Sequence, residues 1–170
     1  MKRAIALLEK HNLLKIISDE LDINLEIPHI AYVEVKRPDS KAILFTNVVD
    51  RKNSKKFKEP VLMNVFCNED AVKLFIGDGD KIGSEIESLL KLKPPVTFSE
   101  KLSTLGKLFS LKNTIPKKIK GKGICQEVIK LGADAKLSDL PVIKTWEDDA
   151  GPFITMGQVY TQSLNGELKN

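Results

Sequence analysis

Cysteine is scarce: the chain has two in 170 residues, Cys67 and Cys125, in no Cys-x-x-Cys or Cys/His spacing. That argues against a disulfide framework and a cysteine-built zinc site, and it makes a reducing cytoplasm the expected compartment. Long apolar runs are missing as well. The opening MKRAIALLEKH has the basic start of an export signal, but its apolar run ends at Glu9, and no stretch approaches the length of a membrane span. Charge of one sign does not dominate either: 27 Lys and Arg stand against 23 Asp and Glu, a net charge of +4 that selects no class of partner. There is no internal repeat and no low-complexity tract.

What is present is enough apolar residue, 42%, to build a core for one ordinary domain or two small ones. Ile5 and Leu8 share the face of a short helix that Asn12 can end, and LLKIISDELDI then reads as extended. AILFTNVV (42–49) and VLMNVF (61–66) are β-branched, apolar runs of strand length separated by a polar loop, and both are expected as buried strands. Asn68 before Glu69 and Asp70 predicts a helix start, with Ala71, Leu74 and Phe75 on one face and Gly77 closing it. A second helix is predicted from about Asp80, with Ile82, Ile86, Leu89 and Leu90 on one stripe. A third runs from Ser99, through Leu102, Leu105, Leu108 and Phe109, to Pro116. Strands and helices mixed this way predict an α/β domain over 1–116. After Pro116 the basic, glycine-containing KKIKGKG leads into ICQEVIK, LPVIKTW and GPFITMGQVYTQ, all strand-like, so a second, all-β module is expected over 117–170.

Several motifs invite sharper readings. GDGDKIG (77–83) has the spacing Gly-x-Gly-x-x-x-Gly and follows a helix, so cap and turn chemistry accounts for it better than a dinucleotide site. Asp78 and Asp80 suggest a calcium loop until Ile82 and Leu89 fall where oxygen ligands belong. Glu147, Asp148 and Asp149 are consecutive in a turn and point different ways, which favours a solvated turn over a metal or acid/base cluster. His11 and His29 have no companion of ligand type at useful spacing. The basic runs Arg51 to Lys58 and Lys112 to Lys122 are the best case for a nucleic-acid module. Neither interleaves the aromatics that single-strand binders stack on, and no nucleic-acid partner is expected.

SLNGEL places Asn165-Gly166 between two extended arms, the pattern of a type I′ hairpin, yet only Glu167 to Asn170 remain for the outgoing arm. An unpartnered strand is a template for association, so the chain reads as a piece of something longer. Along the incoming arm, alternation puts Phe153, Thr155, Gly157, Val159 and Thr161 on one face. A hydroxyl followed by a bare glycine makes a polar notch, suited to a ligand or to a neighbouring side chain.

At this point the residues resemble a known family. DLPVIKTWEDDAGPFITMGQVYTQ (139–162) is similar to a segment of the UbiD-type decarboxylases: leucine-proline, a strand ending in tryptophan, an acidic turn, then Ile-Thr-x-Gly. ALLEKHNLLKIISDELDINLEIPHIA, PVLMNVFCNEDAVKLFIG and GICQEVIKLGADAKLSDLP resemble other parts of the family in the same order, so the likeness covers essentially the whole chain. It implies an N-terminal α/β domain followed by the first strands of a split β-barrel related to flavin reductases. It also implies a decarboxylase acting on a prenylated aromatic acid, a hydroxybenzoate or naphthoate, in quinone biosynthesis.

The cofactors so implied are prenylated FMN, manganese and potassium. By match to the family motif, Thr155 and Gly157 would lie beside the flavin and Asn170 would be a metal ligand, whereas the arginine and glutamates that handle carboxylate and proton match nothing here. No catalytic residue is therefore expected in this chain, and alone it is expected to be inactive. The resemblance further implies a flavin prenyltransferase as cofactor supplier, a homo-oligomer at full length, and peripheral membrane contact through the prenyl substrate. The contrasting expectation is a short, non-catalytic product that binds a partner by strand addition.

Overall fold

Alternating helices and strands over the first half of the chain bury one apolar face of a small mixed sheet. The computed structural model describes residues 1–91, 120–155 and 157–169. They form two compact units: residues 1–76 with 136–170, and residues 77–135.

In the first unit, α1 (Lys2–Lys10) ends as expected: Asn12 adopts the left-handed conformation (φ 57°) that its short polar side chain tolerates. Leu8, fully buried, anchors it. The chain then runs into β1 (Leu14–Asp22), α2 (Glu26–Val35) and β2 (Ala42–Asp50), and β1 and β2 pair in parallel, so α2 is the crossover of a βαβ unit. The helix was not expected from the sequence. Its residues EIPHIAYVEV are apolar on nearly every side, so no 3.6-residue contrast marks it, and Ile27, Pro28 and Ala31 are all buried.

On the other flank of β2, β3 (Lys55–Lys56) and β4 (Val61–Met63) both pair antiparallel, β3 near its end and β4 near its start. The expected strand over 61–66 stops at Met63, because Asn64 turns left-handed (φ 56°) and its amide donates to the Ala31 carbonyl of α2 (2.7 Å). β1 is a sheet edge, and its pairing slips between Ile17 and Glu20 in a β-bulge. Helix α3 (Glu69–Phe75) follows with the predicted cap: Asn68 Oδ1 accepts from the Ala71 amide at 2.9 Å. Asn68 Nδ2 also donates to the Ser40 carbonyl, and Ser40 Oγ donates to the Cys67 carbonyl, tying this cap to the loop ahead of β2.

The core is Ile23, Ile27, Ile43, Phe45, Val48, Phe57, Val61 and Ile143. The last of these comes from far down the chain. Residues 23–25 carry it in: Ile23 N donates to Val49 O, Lys144 N donates to Ile23 O, and Leu25 N donates to Lys144 O (2.9, 3.1 and 3.1 Å). Asn24 and Lys144 thus form a parallel bridge just past the end of β1.

A carboxylate knot holds that junction. Buried Asp22 accepts from the backbone amides of Asn24 (2.9 Å) and Arg51 (3.2 Å), while its own amide donates to Glu26 Oε2 (2.8 Å). The Arg51 guanidinium donates to Glu26 Oε1 and to the Glu20 carbonyl.

In the second unit, α4 (Gly79–Leu90) is capped by Asp78, whose Oδ1 accepts from the Asp80 and Lys81 amides. GDGDKIG is therefore cap chemistry, with Gly77 in the left-handed region (φ 101°). The expected strand ICQEVIK begins instead as a 3-10 turn over Ile124–Gln126, closed by Gln126 Oε1 accepting from Gly123 N. The helix expected over 99–116 lies outside the described residues, as does the start of the basic linker.

Two outcomes test the knot. Asp22→Ala strands two amides and should lower unfolding free energy by about 1–3 kcal/mol in urea titrations. The backbone amide of Asp22, then Arg51, holds the Glu26 carboxyl below its ordinary value near 4.5. Because the folded-state value is the depressed one, the stabilisation is complete above the ordinary value and disappears as pH falls through the folded one. The urea midpoint should therefore decline on acidification below about pH 4.5, and Glu26→Gln should flatten that decline.

Candidate functional site

Past the second unit the chain returns to the sheet through a 3-10 turn, Leu137–Asp139. Lys55 Nζ fastens it, donating to the Ser138 carbonyl (2.5 Å) and to Asp139 Oδ1 (3.1 Å). Ile143 enters the core and Lys144 pairs with residues 23–25. The chain reverses at Trp146–Asp149, where Asp149 Oδ2 accepts from Trp146 N (2.9 Å) and Asp149 N donates to the Trp146 carbonyl (3.3 Å). Phe153 N then donates to the Ile143 carbonyl at 3.0 Å. The acidic run is a turn as expected, with Asp149 closing it. Among the described residues no group of three or more His, Cys, Asp or Glu is placed to hold a metal ion.

This return path builds a groove of about 400 Å³ between β4 and the returning segment, with Val61, Met63, Val142, Ile143, Phe153 and Thr155 among its walls. The lining is mostly apolar, and Thr155 brings a hydroxyl to it. Among the described residues the regular strand expected through Phe153, Thr155, Gly157, Val159 and Thr161 is not formed: past the bridge at Phe153, Thr155 lies in a turn, and residues 157–161 make no ladder before a bridge at Gln162. Gly157 is in ordinary contact with the turn, since a Cβ there would sit 3.6 Å from the Ile154 side chain and 3.7 Å from its carbonyl oxygen. Asn170 lies outside the described residues.

The hairpin tip also differs from expectation. Of Asn165 and Gly166 only Gly166 has positive φ (76°), and the turn is Ser163–Gly166, closed by Gly166 N donating to Ser163 O (2.9 Å). The reason lies in the Asn165 side chain, whose Oδ1 accepts from Ser163 Oγ (2.6 Å) and whose Nδ2 donates to Glu167 (2.6 Å). These local bonds favour an Asx-type arrangement over a I′ turn. Gln162 and Lys169 still bridge antiparallel.

Cys67 and the first basic run are accounted for elsewhere in the fold. Burial pushes the Cys67 thiol up, which keeps it in the inert protonated form. In the first basic run, Arg51, Lys55 and Lys56 pair with Glu26, Asp139 and Glu20, the account expected of a solvated loop. Lys112, Lys117 and Lys118 lie outside the described residues. The residues that sequence reasoning passed over are Ile143, which lines the groove, and Lys144, whose pairing with residues 23–25 sets where the returning segment stands. Their only signal was the apolar LPVI run.

Comparison with known proteins adds two family matches, in chain order. The model of the 3-octaprenyl-4-hydroxybenzoate carboxy-lyase N-terminal domain matches residues 5–90, and that of the 3-octaprenyl-4-hydroxybenzoate carboxy-lyase Rift-related domain matches residues 117–170. Among curated relatives, uncharacterised proteins of Helicobacter pylori strains 26695 and J99 are each 41% identical across all of this chain. An uncharacterised protein of Aquifex aeolicus is 36% identical over 96% of it. The chain spans 28%, 28% and 32% of those relatives' lengths, less than a third in each case.

The placement of the groove makes a direct prediction. Ile143→Ala opens a hole in the core and should cost about 2–4 kcal/mol in chemical denaturation, whereas Ile154→Ala, at a side chain 59% exposed, should stay within about 0.5 kcal/mol.

Proposed function

The chain belongs to the UbiD carboxy-lyase family, and on that premise we propose that it forms the N-terminal part of a non-oxidative decarboxylase acting on a prenylated aromatic acid, a hydroxybenzoate or a naphthoate, in quinone biosynthesis. The observation that carries this reading is the pair of family matches, N-terminal domain then Rift-related domain, in one chain.

Loss of CO2 leaves an electron pair on carbon, and prenylated FMN, when bound, supplies the sink for it. The groove beside β4 fits one flank of such a ring in its chemistry: an apolar wall with a single hydroxyl, that of Thr155, at its margin. There the Thr155 hydroxyl would hydrogen-bond a polar ring edge, and Phe153 with Val142 would keep water from the apolar face. Gly157, two residues on, would keep a side chain away from that edge. Asn170 would offer an amide oxygen to a manganese or potassium ion next to the cofactor phosphate, the donor type that hard ions take. The same reading has a flavin prenyltransferase supply the cofactor in the cytoplasm, a homo-oligomeric enzyme, and contact with a membrane surface only through the prenyl tail of the substrate.

The test is made on the gene product purified from cells that co-express a flavin prenyltransferase. It should carry flavin-like absorbance and release CO2 from a prenylated hydroxybenzoate or naphthoate, and Thr155→Val should lower kcat/KM about tenfold through loss of one hydrogen bond. The 170 residues alone should release none. A colourless full-length product that decarboxylates no aromatic or unsaturated acid sinks the reading.

A further inference from the structure

A second cleft, of about 510 Å³, lies between α2 and the returning segment, and Leu25, Tyr32, Met63, Asn64, Trp146 and Glu147 are among its lining residues. Its volume is in the range of small-molecule sites. Three observations give it a chemical character.

The first is an aromatic corner. The rings of Tyr32 and Trp146 meet edge to face, centroids 5.4 Å apart at 75°, so they present two faces at nearly a right angle. Tyr32 is 45% and Trp146 56% exposed, which leaves both rings open to a ligand. Such faces carry negative potential and attract ammonium groups. The corner already shows that preference, because the protein's own Lys36 ammonium lies over the Tyr32 ring, 5.0 Å from its centre.

The second is a carboxylate without a partner. Glu26 also lines the cleft, but Arg51 and the Asp22 amide occupy its oxygens. Glu147 contributes only its main-chain carbonyl, which accepts from Lys144 Nζ (2.6 Å), and its carboxylate has no hydrogen-bond or ion-pair partner among the described residues.

The third is strain in the walls. Four non-glycine residues have positive φ among those described, and two of them, Leu25 (71°) and Asn64 (56°), line this cleft. For leucine a positive φ is a steric outlier, and residues held in such conformations gather at ligand clamps. Backbone pairing of Leu25 with Lys144 and the Asn64–Ala31 hydrogen bond hold the two in place, so the cleft is formed in advance of any occupant.

We propose that this cleft binds a small organic cation, an alkyl- or arylammonium whose apolar body lies in the Tyr32–Trp146 corner and whose charge faces the Glu147 carboxylate. The cleft is a different cavity from the groove at Thr155, with which it shares Met63 as a wall, and it does not depend on the decarboxylase reading.

Trp146 is the only tryptophan in the chain, so its fluorescence reports on the cleft alone. The probe is 2-phenylethylammonium, with phenylacetate as the anion of like shape, titrated into the full chain. The cation should give a saturable change in emission and phenylacetate none. Glu147→Gln, at an exposed turn, should leave the circular dichroism spectrum unchanged and weaken the cation about tenfold. Tyr32→Leu should weaken it as well, while Lys36→Gln, which clears the competing ammonium from Tyr32, should strengthen it. No saturable response to the cation, equal binding of phenylacetate, or unchanged affinity in Glu147→Gln would each overturn the proposal.

Discussion

Three backbone hydrogen bonds, between residues 23–25 and residues 144 and 49, determine where everything else in the first unit stands. Two of them join the end of β1 to Lys144, far down the chain, and closing so long a loop is entropically unfavourable. Burial of Ile143 beside Ile23, Ile27 and Phe57 offsets that cost. The Asp22 carboxylate then makes the junction specific by satisfying amides that would otherwise be stranded where the strand ends. Both the groove at Thr155 and the aromatic cleft at Trp146 are by-products of this pairing, one on each side of Lys144.

Signals that are local in sequence were legible. Asn68 announced its helix, and GDGDKIG was legible as cap and turn chemistry, because a cap is a contact between near neighbours; β1 was readable as an extended stretch and β2 as an apolar, β-branched run. Helix α2 was hidden because large apolar residues, Tyr32, Val33 and Val35, lie on its exposed side as well as Ile27 and Ala31 on its buried one, which erases the amphipathic contrast that normally reveals a helix. The end of β4 was hidden for another reason: Asn64 takes a left-handed turn to reach the Ala31 carbonyl, a partner that no reading of residues 61–66 contains. At Asn165-Gly166 a hairpin signal was present, but side-chain bonds from Asn165 moved the turn one residue back.

The candidate sites were legible only in part. Thr155 stood out by its motif, yet strict alternation put it in a strand, whereas a turn follows Phe153 and the groove wall opposite comes from β4 and Val142. The acidic turn was read correctly as a turn, and the separate fate of Glu147 within it depends on Trp146 docking against Tyr32 of α2, a helix that periodicity did not reveal. Chemistry-bearing residue types are visible in a sequence. The cavities they line are made by pairings between distant segments and are not.

The bulge in β1 has a consequence for how copies of this chain meet. A nine-residue strand at a sheet margin would ordinarily invite another to zip alongside it. Here the rung between Ile17 and Glu20 is out of step with β2, and Asp19 and Glu20 sit at that irregularity. An incoming strand would lose its register halfway along and meet the Asp19 carboxylate there, Glu20 being paired with Lys56, so fibril-like stacking should stall at this margin before it can spread.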